Sequence, residues 1–195
     1  MPQAEQLHFM SPDEYLAFEQ QADVKHEYVN GLIASMAGAS RSHNLLTLAF
    51  VTMLRAHLRG TPYQTYASDR KVDASHKGST VFYYPDIMVA CHPLQSGNGQ
   101  YVEDKPQIIV EVLSPSTEAR DRMEKLSAYT SIPGLKEYVL VSQNKLAIDV
   151  YRHSGKGWEI VRYRDNDAIS LNSIAFSASL KDVYEDILDD VIRNA

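Results

Sequence analysis

Cysteine is almost missing from this chain of 195 residues. Cys91 is the only one, which excludes an internal disulfide and a multi-cysteine zinc site and fits a reducing, cytoplasmic setting. The seven histidines contain no His-x-x-x-His pair, so a helical zinc site is not expected. No apolar run approaches the roughly 20 residues that cross a bilayer. The start, MPQAEQLHFM, has neither a basic head nor an apolar stretch and does not read as a signal peptide. No phosphate-binding Gly-Lys-Ser/Thr loop occurs. Ser114-Pro115-Ser116 lacks the flanking glycines of a hydrolase elbow, which argues against a serine nucleophile. Repeats and long linkers are missing too. Positive charge is the minority sign, 19 Lys and Arg against 25 Asp and Glu, for a net charge of −6. That argues against coating nucleic acid through bulk electrostatics. It leaves a nuclease open, because carboxylates that gather a divalent cation make the metal-free protein acidic.

What is present fits a single domain of ordinary size, with 44% hydrophobic and 23% charged residues. Ser11-Pro12-Asp13-Glu14 reads as a capped helix start. Tyr28-Val29 and Leu32-Ile33 flank Asn30-Gly31, a two-residue hairpin signal. From Arg41 to Arg59 the apolar residues recur at helical spacing, and Gly60 and Pro62 stop them. Short strands are predicted at residues 65–67, 71–73 and 81–84. Buried strands are predicted at 86–91 and 107–113, with a Gly-rich turn at 96–99 between them. A helix from about Glu118 to Thr130, strands at 137–141, 147–152 and 158–163, and a last helix from about Leu180 to Leu188 complete the reading. The order predicts a mixed α/β fold, a central mixed β-sheet flanked by helices with an N-terminal helix and hairpin.

Two acids stand where acids are costly. Glu111 interrupts Ile108-Ile109-Val110-Glu111-Val112-Leu113, and Asp86 heads an apolar strand after Tyr84-Pro85. Burying a carboxylate needs a partner or a metal. Strand alternation puts Glu111 on the face of Ile109 and Leu113. One such acid alone is more often a structural ion pair; two on neighbouring strands point to a site. A hard divalent cation, Mg2+ or Mn2+, takes one or two carboxylates plus waters and substrate phosphate. Asp86 and Glu111 supply them, and the backbone carbonyl of Val112 is a candidate third oxygen. A pair of carboxylates would also serve acid/base hydrolysis, a reading with no further support in the sequence.

Pro85-Asp86, then Glu111-Val112-Leu113-Ser114-Pro115-Ser116-Thr117, then Asp121, Lys125 and Tyr129, resemble the bacterial Uma-type putative restriction endonuclease family of the PD-(D/E)XK nuclease superfamily. The likeness extends to the His26–Gly31 hairpin, to His43, to Lys136-Glu137-Tyr138 and to Val150-Tyr151-Arg152. It implies a restriction endonuclease-like core and metal-dependent cleavage of DNA. Leu113 stands where the superfamily usually keeps a lysine, and the resemblance implies that Lys125, on the next helix, replaces it. Asp121, Lys125 and Tyr129 are spaced four apart and share one helical face; a surface pair between Asp121 and Lys125 is the plainer alternative. Tyr129 fits packing and a site role equally. The resemblance also implies an acid near the metal from the N-terminal part, for which Glu27 is the match, and His43 would contact phosphate or the site. Expected partners are DNA, a second copy of the chain, and no membrane. The alternative is a nuclease fold without cleavage, serving as a binding or assembly module. Arg41, Arg55, Arg59, Arg70, Lys71, Arg120 and Arg122 suit phosphate contact but are scattered in the sequence.

Overall fold

The hairpin turn shows how closely local sequence sets local structure. Asn30 (φ 50°) and Gly31 (φ 96°) both take positive φ, the backbone that closes a two-residue hairpin with the twist of its strands. A Cβ at Gly31 would also stand 2.7 Å from the exposed Phe9 ring and push it aside; the positive φ is what calls for glycine there. The computed structural model describes residues 9–91 and 102–193. The turn expected at 96–99 lies outside them.

The elements follow in chain order. Helix α1 (Pro12–Glu19) begins with the expected capping box between Ser11 and Glu14. The hairpin is β1 (His26–Val29) and β2 (Leu32–Ser35), and α2 (Arg41–His57) follows, capped by Ser40. Then come β3 (Tyr63–Ala67), β4 (Lys71–Asp73), β5 (Val81–Tyr83), β6 (Ile87–Cys91), β7 (Val102–Glu103) and β8 (Pro106–Leu113). The predicted central helix is one continuous rod of three parts: α3 (Glu118–Arg120), a π turn (Asp121–Lys125) and α4 (Leu126–Tyr129). Strands β9 (Glu137–Ser142), β10 (Ala147–His153), β11 (Trp158–Arg164), β12 (Ala168–Leu171) and β13 (Phe176–Ser179) follow. The predicted last helix is broken into α5 (Leu180–Val183), a 3-10 turn (Glu185–Ile187) and α6 (Leu188–Arg193).

Six strands form the central sheet in the order β11-β10-β9-β8-β6-β3. All neighbours are antiparallel except β8 and β9, which run parallel. A parallel pair needs a crossover of a dozen or more residues, and residues 114–136 supply it as the α3–α4 rod. A second sheet, β2-β1-β5-β4-β7, holds the hairpin.

The two faces of the central sheet carry different cores. On one, Leu46, Phe50 and Leu54 of α2, with Leu180, Val183 and Tyr184, cover Ile87, Val89, Ile108, Val110 and Val139. On the other, Tyr129, Ile132 and Leu135 from the crossover cover Met88, Ile109, Leu113, Tyr138 and Leu140. Glu111 lies on this second face, between Ile109 and Leu113, as strand alternation requires. The crossover therefore lays its helical rod directly over Glu111. Among the described residues no helix is long and apolar enough to cross a membrane.

Candidate active site

Three carboxylates converge on one ammonium. Lys125 Nζ is 3.0 Å from Glu111 Oε1, 3.0 Å from Glu27 Oε1 and 3.4 Å from Asp121 Oδ1. The groups come from three parts of the fold: Glu111 from β8, Glu27 from the hairpin, Asp121 and Lys125 from the π turn. All four are at least nine-tenths buried. The π turn opens the middle of the rod at this point; such turns recur at functional sites because they re-aim side chains within a helix. Asp121 and Lys125 thus form a buried pair, not the surface pair that spacing alone allowed. Tyr129 takes both of its roles. It is fully buried among Tyr83 and Tyr138, and its hydroxyl donates to Glu111 Oε1 at 2.9 Å.

Asp86 immediately precedes β6 and lies beside Glu111. Its own N–H points at Glu111 Oε2 (3.4 Å), and its Oδ2 accepts from the Val112 N–H at 2.7 Å. Its other oxygen, Oδ1, is 2.9 Å from Nε2 of His43, which stands on the first turn of α2. The sequence therefore found the members of the cluster. The connections it missed are Arg120, Tyr83 and Glu124. Arg120 pairs with Glu27 Oε2 and with Glu124 Oε1 at 3.1 Å, and lies over the Tyr83 ring. The Tyr83 hydroxyl donates to Glu124 at 2.7 Å. No local signal in the sequence marks these, since each depends on the hairpin folding back against the crossover.

The electrostatics are lopsided. Burial pushes the Glu111 carboxyl well above the usual carboxylate range; Lys125 pulls it down, and Asp86, Asp121 and Glu27 add to the rise. Burial likewise raises Asp121, against the pull of Lys125. Burial alone would lower Lys125, but Glu111, Glu27 and Asp121 outweigh it and hold the ammonium protonated. Two buried oxygens, Glu27 Oε1 and Asp121 Oδ1, make no hydrogen bond; they face the lysine at ion-pair distance with angles unsuited to one.

A second buried glutamate provides the contrast. Glu137, on the neighbouring strand, is fully buried. Its Oε1 accepts from Arg152 Nε (3.0 Å) and the Asn172 N–H (2.9 Å), and its Oε2 from the Ser173 N–H (3.1 Å) and hydroxyl (2.5 Å). That acid is saturated and paired with one cation. The Glu111 cluster instead has more carboxylates than cations, the condition a divalent ion relieves. Its donors are all oxygens, the chemistry that suits Mg2+ or Mn2+. No three of the described His, Cys, Asp and Glu side chains stand together as a ready-made cage; magnesium, which keeps waters and substrate oxygens, does not need one.

Comparison with known proteins gives the fold and the family. A solved structure from Anabaena variabilis, titled a putative nuclease belonging to DUF820, superposes with a TM-score of 0.74 at 18% identity, covering 92% of this chain and 99% of that one. This likeness establishes the fold. Two Synechocystis sp. proteins, slr1290 and sll1609, are each 36% identical, over 90% and 73% of this chain and 91% and 80% of their own lengths. The family model described as "Uma2: Putative restriction endonuclease" matches residues 12–181, a span that contains every residue of the cluster, and the chain belongs to that nuclease-like family.

Proposed function

We propose that the cluster is the catalytic centre of a metal-dependent endonuclease that hydrolyses DNA phosphodiester bonds. The observation that carries this reading is the surplus of buried carboxylate around Lys125, set beside the saturated Glu137. Asp86, Glu111 and the Val112 carbonyl would hold Mg2+ or Mn2+. In strand geometry that carbonyl lies on the same edge of β8 as the Val112 N–H, which already reaches Asp86. When bound, the ion supplies positive charge against a phosphate and lowers the pKa of a water.

The chain's own groups have separable tasks. Tyr129 and Lys125 fix the orientation of the Glu111 carboxylate, and His43 fixes that of Asp86. Glu27 and Asp121 keep Lys125 protonated. An ammonium in that state does not take a proton from water near neutral pH. Its contribution is to orient the attacking water and to offset charge on the scissile phosphate. Cutting both strands would call for two copies, and two-fold pairing is the commonest symmetric assembly.

One feature favours the rival reading, a nuclease fold that binds without cutting: the Lys125 ammonium is engaged by three carboxylates. The test incubates purified protein with plasmid, linear and single-stranded DNA in magnesium, manganese or EDTA, beside Asp86→Ala and Lys125→Ala. Metal-dependent cutting lost in both variants is the expected result. DNA bound but never cut, in any metal, would favour the rival.

A further inference from the structure

A cleft of about 820 Å³ lies away from the carboxylate cluster, between the C-terminal half of α2 and strand β3. Its lining includes Thr52, Arg55, Arg59, Tyr63, Gln64 and Tyr66. Arg55, in the last turn of α2, and Arg59, just beyond its end, are both exposed and line the same cleft. Neither makes an ion pair or hydrogen bond among the described residues. This differs from Arg41, Arg120 and Arg122, each of which has an acidic partner. The surrounding sequence is also unusual for a chain of net charge −6: no acidic residue occurs between Glu27 and Asp69. Strand β3 is an edge of the central sheet, hydrogen-bonded to β6 alone, so no second strand of that sheet covers its outer edge.

The cleft is connected to the candidate active site at both ends of its frame. At the start of α2, His43 touches Asp86. At the end of β3, the Ser68 N–H donates to the Asp86 carbonyl at 3.0 Å. With a rise of 1.5 Å per residue, Arg55 lies about 18 Å along the helix from His43, and Arg59 follows just past the helix end. On duplex DNA about 18 Å is roughly five base pairs at 3.4 Å each.

We propose that this cleft holds the phosphodiester backbone of the DNA flanking the cut, with Arg55 and Arg59 as its phosphate contacts. The proposal rests on the DNA-cutting reading above and adds where the substrate is held. Charge decides the occupant. A second copy pairing through β3 would set two arginine pairs against each other with no carboxylate between them, whereas a polyanion meets them with complementary charge.

The test is the Arg55→Gln/Arg59→Gln variant, with Arg162→Gln as control. Arg162 is an exposed arginine on β11, the opposite edge of the same sheet. Binding of a short fluorescent duplex is followed by anisotropy across a salt series, in EDTA and, on the Lys125→Ala background, in magnesium. The double variant is expected to lose about tenfold or more in affinity at low salt. Its slope of log affinity against log salt should fall by about 2, given roughly 0.9 per phosphate contact. The control should match the parent. Thermal melts confirm that the variants fold. The proposal is overturned if the double variant keeps the parental affinity and slope, if Arg162→Gln loses as much, or if the parent binds no duplex under either condition. A change in oligomeric state with DNA binding intact would also overturn it, making the cleft a contact between copies. Parental binding that weakens as predicted, without cutting in any metal, sustains the cleft and removes the cleavage reading.

Discussion

Glu111 and Glu137 are glutamates buried on adjacent parallel strands, and their neutralisation should act in opposite directions. Glu137→Gln leaves Arg152 without its carboxylate and weakens four hydrogen bonds. Loss of a charged hydrogen-bonded partner in the interior costs about 2–3 kcal/mol. Glu111→Gln removes one of several crowded negative charges while Lys125 keeps Glu27 and Asp121. In metal-free protein it should stabilise by about 1 kcal/mol, because relief of crowded buried charge outweighs the loss of one of the lysine's partners. Lys125→Met, which strips the cation and leaves the acids, should destabilise by about 3 kcal/mol. Urea denaturation in EDTA measures all three. The pH dependence has a definite sign. The Glu111 carboxyl titrates higher in the folded state than unfolded, so folding takes up a proton there. Wild-type stability from this group then falls as pH rises from the ordinary glutamate range, about 4.3, toward the raised folded value. The advantage of Glu111→Gln should grow with pH over that window. An advantage that shrinks with rising pH would mean Glu111 is held charged by its neighbours.

At the scale of elements, Asp149 braces the crossover rod to the sheet. Its Oδ2 accepts from Arg122 Nη1 beside α3 at 2.9 Å, and its Oδ1 from Arg164 Nη2 on β11 at 2.7 Å. Burial would raise the Asp149 carboxyl, but the two arginines outweigh it and hold it below its ordinary value. Such a group stabilises the fold above its unfolded pKa of about 3.9 and loses that contribution as pH falls through the lower folded value. Asp149→Asn should therefore cost about 1–2 kcal/mol at neutral pH, discounted because Arg164 is 40% exposed. Below about pH 4 its stability should converge on that of wild type in acid denaturation. This brace was illegible in the sequence, where Arg122 suited phosphate contact. The legible elements were those whose signals are local: the Ser11 capping box, the Asn30-Gly31 turn, the period of α2 and the apolar runs of β6 and β8. Asp86, Glu111 and Lys125 were legible because acids in apolar strands are conspicuous and because an ordered motif resembled a family. What needed the structure was long-range or lacked a period of its own. The π turn obeys no spacing rule that distinguishes it from an α-turn. The β12–β13 pair is four residues a strand, and the C-terminal helix is broken where Tyr184 turns inward so that its hydroxyl bonds the Ser142 and Ala147 carbonyls.

For the molecule as a whole, the proposed metal site would make folding and metal binding one linked equilibrium, because of the excess acid. The buried carboxylates repel one another in the free protein, and an ion that binds only the folded chain relieves that repulsion. Such a ligand at about 100 times its dissociation constant stabilises by about 2.7 kcal/mol. For a chain of this length that is a rise of roughly 5–10 °C in Tm. Magnesium or manganese should therefore raise the midpoint in a concentration-dependent, saturable way, and sodium chloride at matched ionic strength should not. Asp86→Ala and Glu111→Gln should flatten the response. Arg55→Gln/Arg59→Gln should leave it intact, because Arg55 lies about 18 Å from His43 along α2 and Arg59 beyond the far end of that helix. An equal shift in all variants would assign the effect to screening of the surface charge. A shift confined to proteins with both acids would tie the ion to Asp86 and Glu111 without any recourse to cleavage, and so would separate the metal site from the activity.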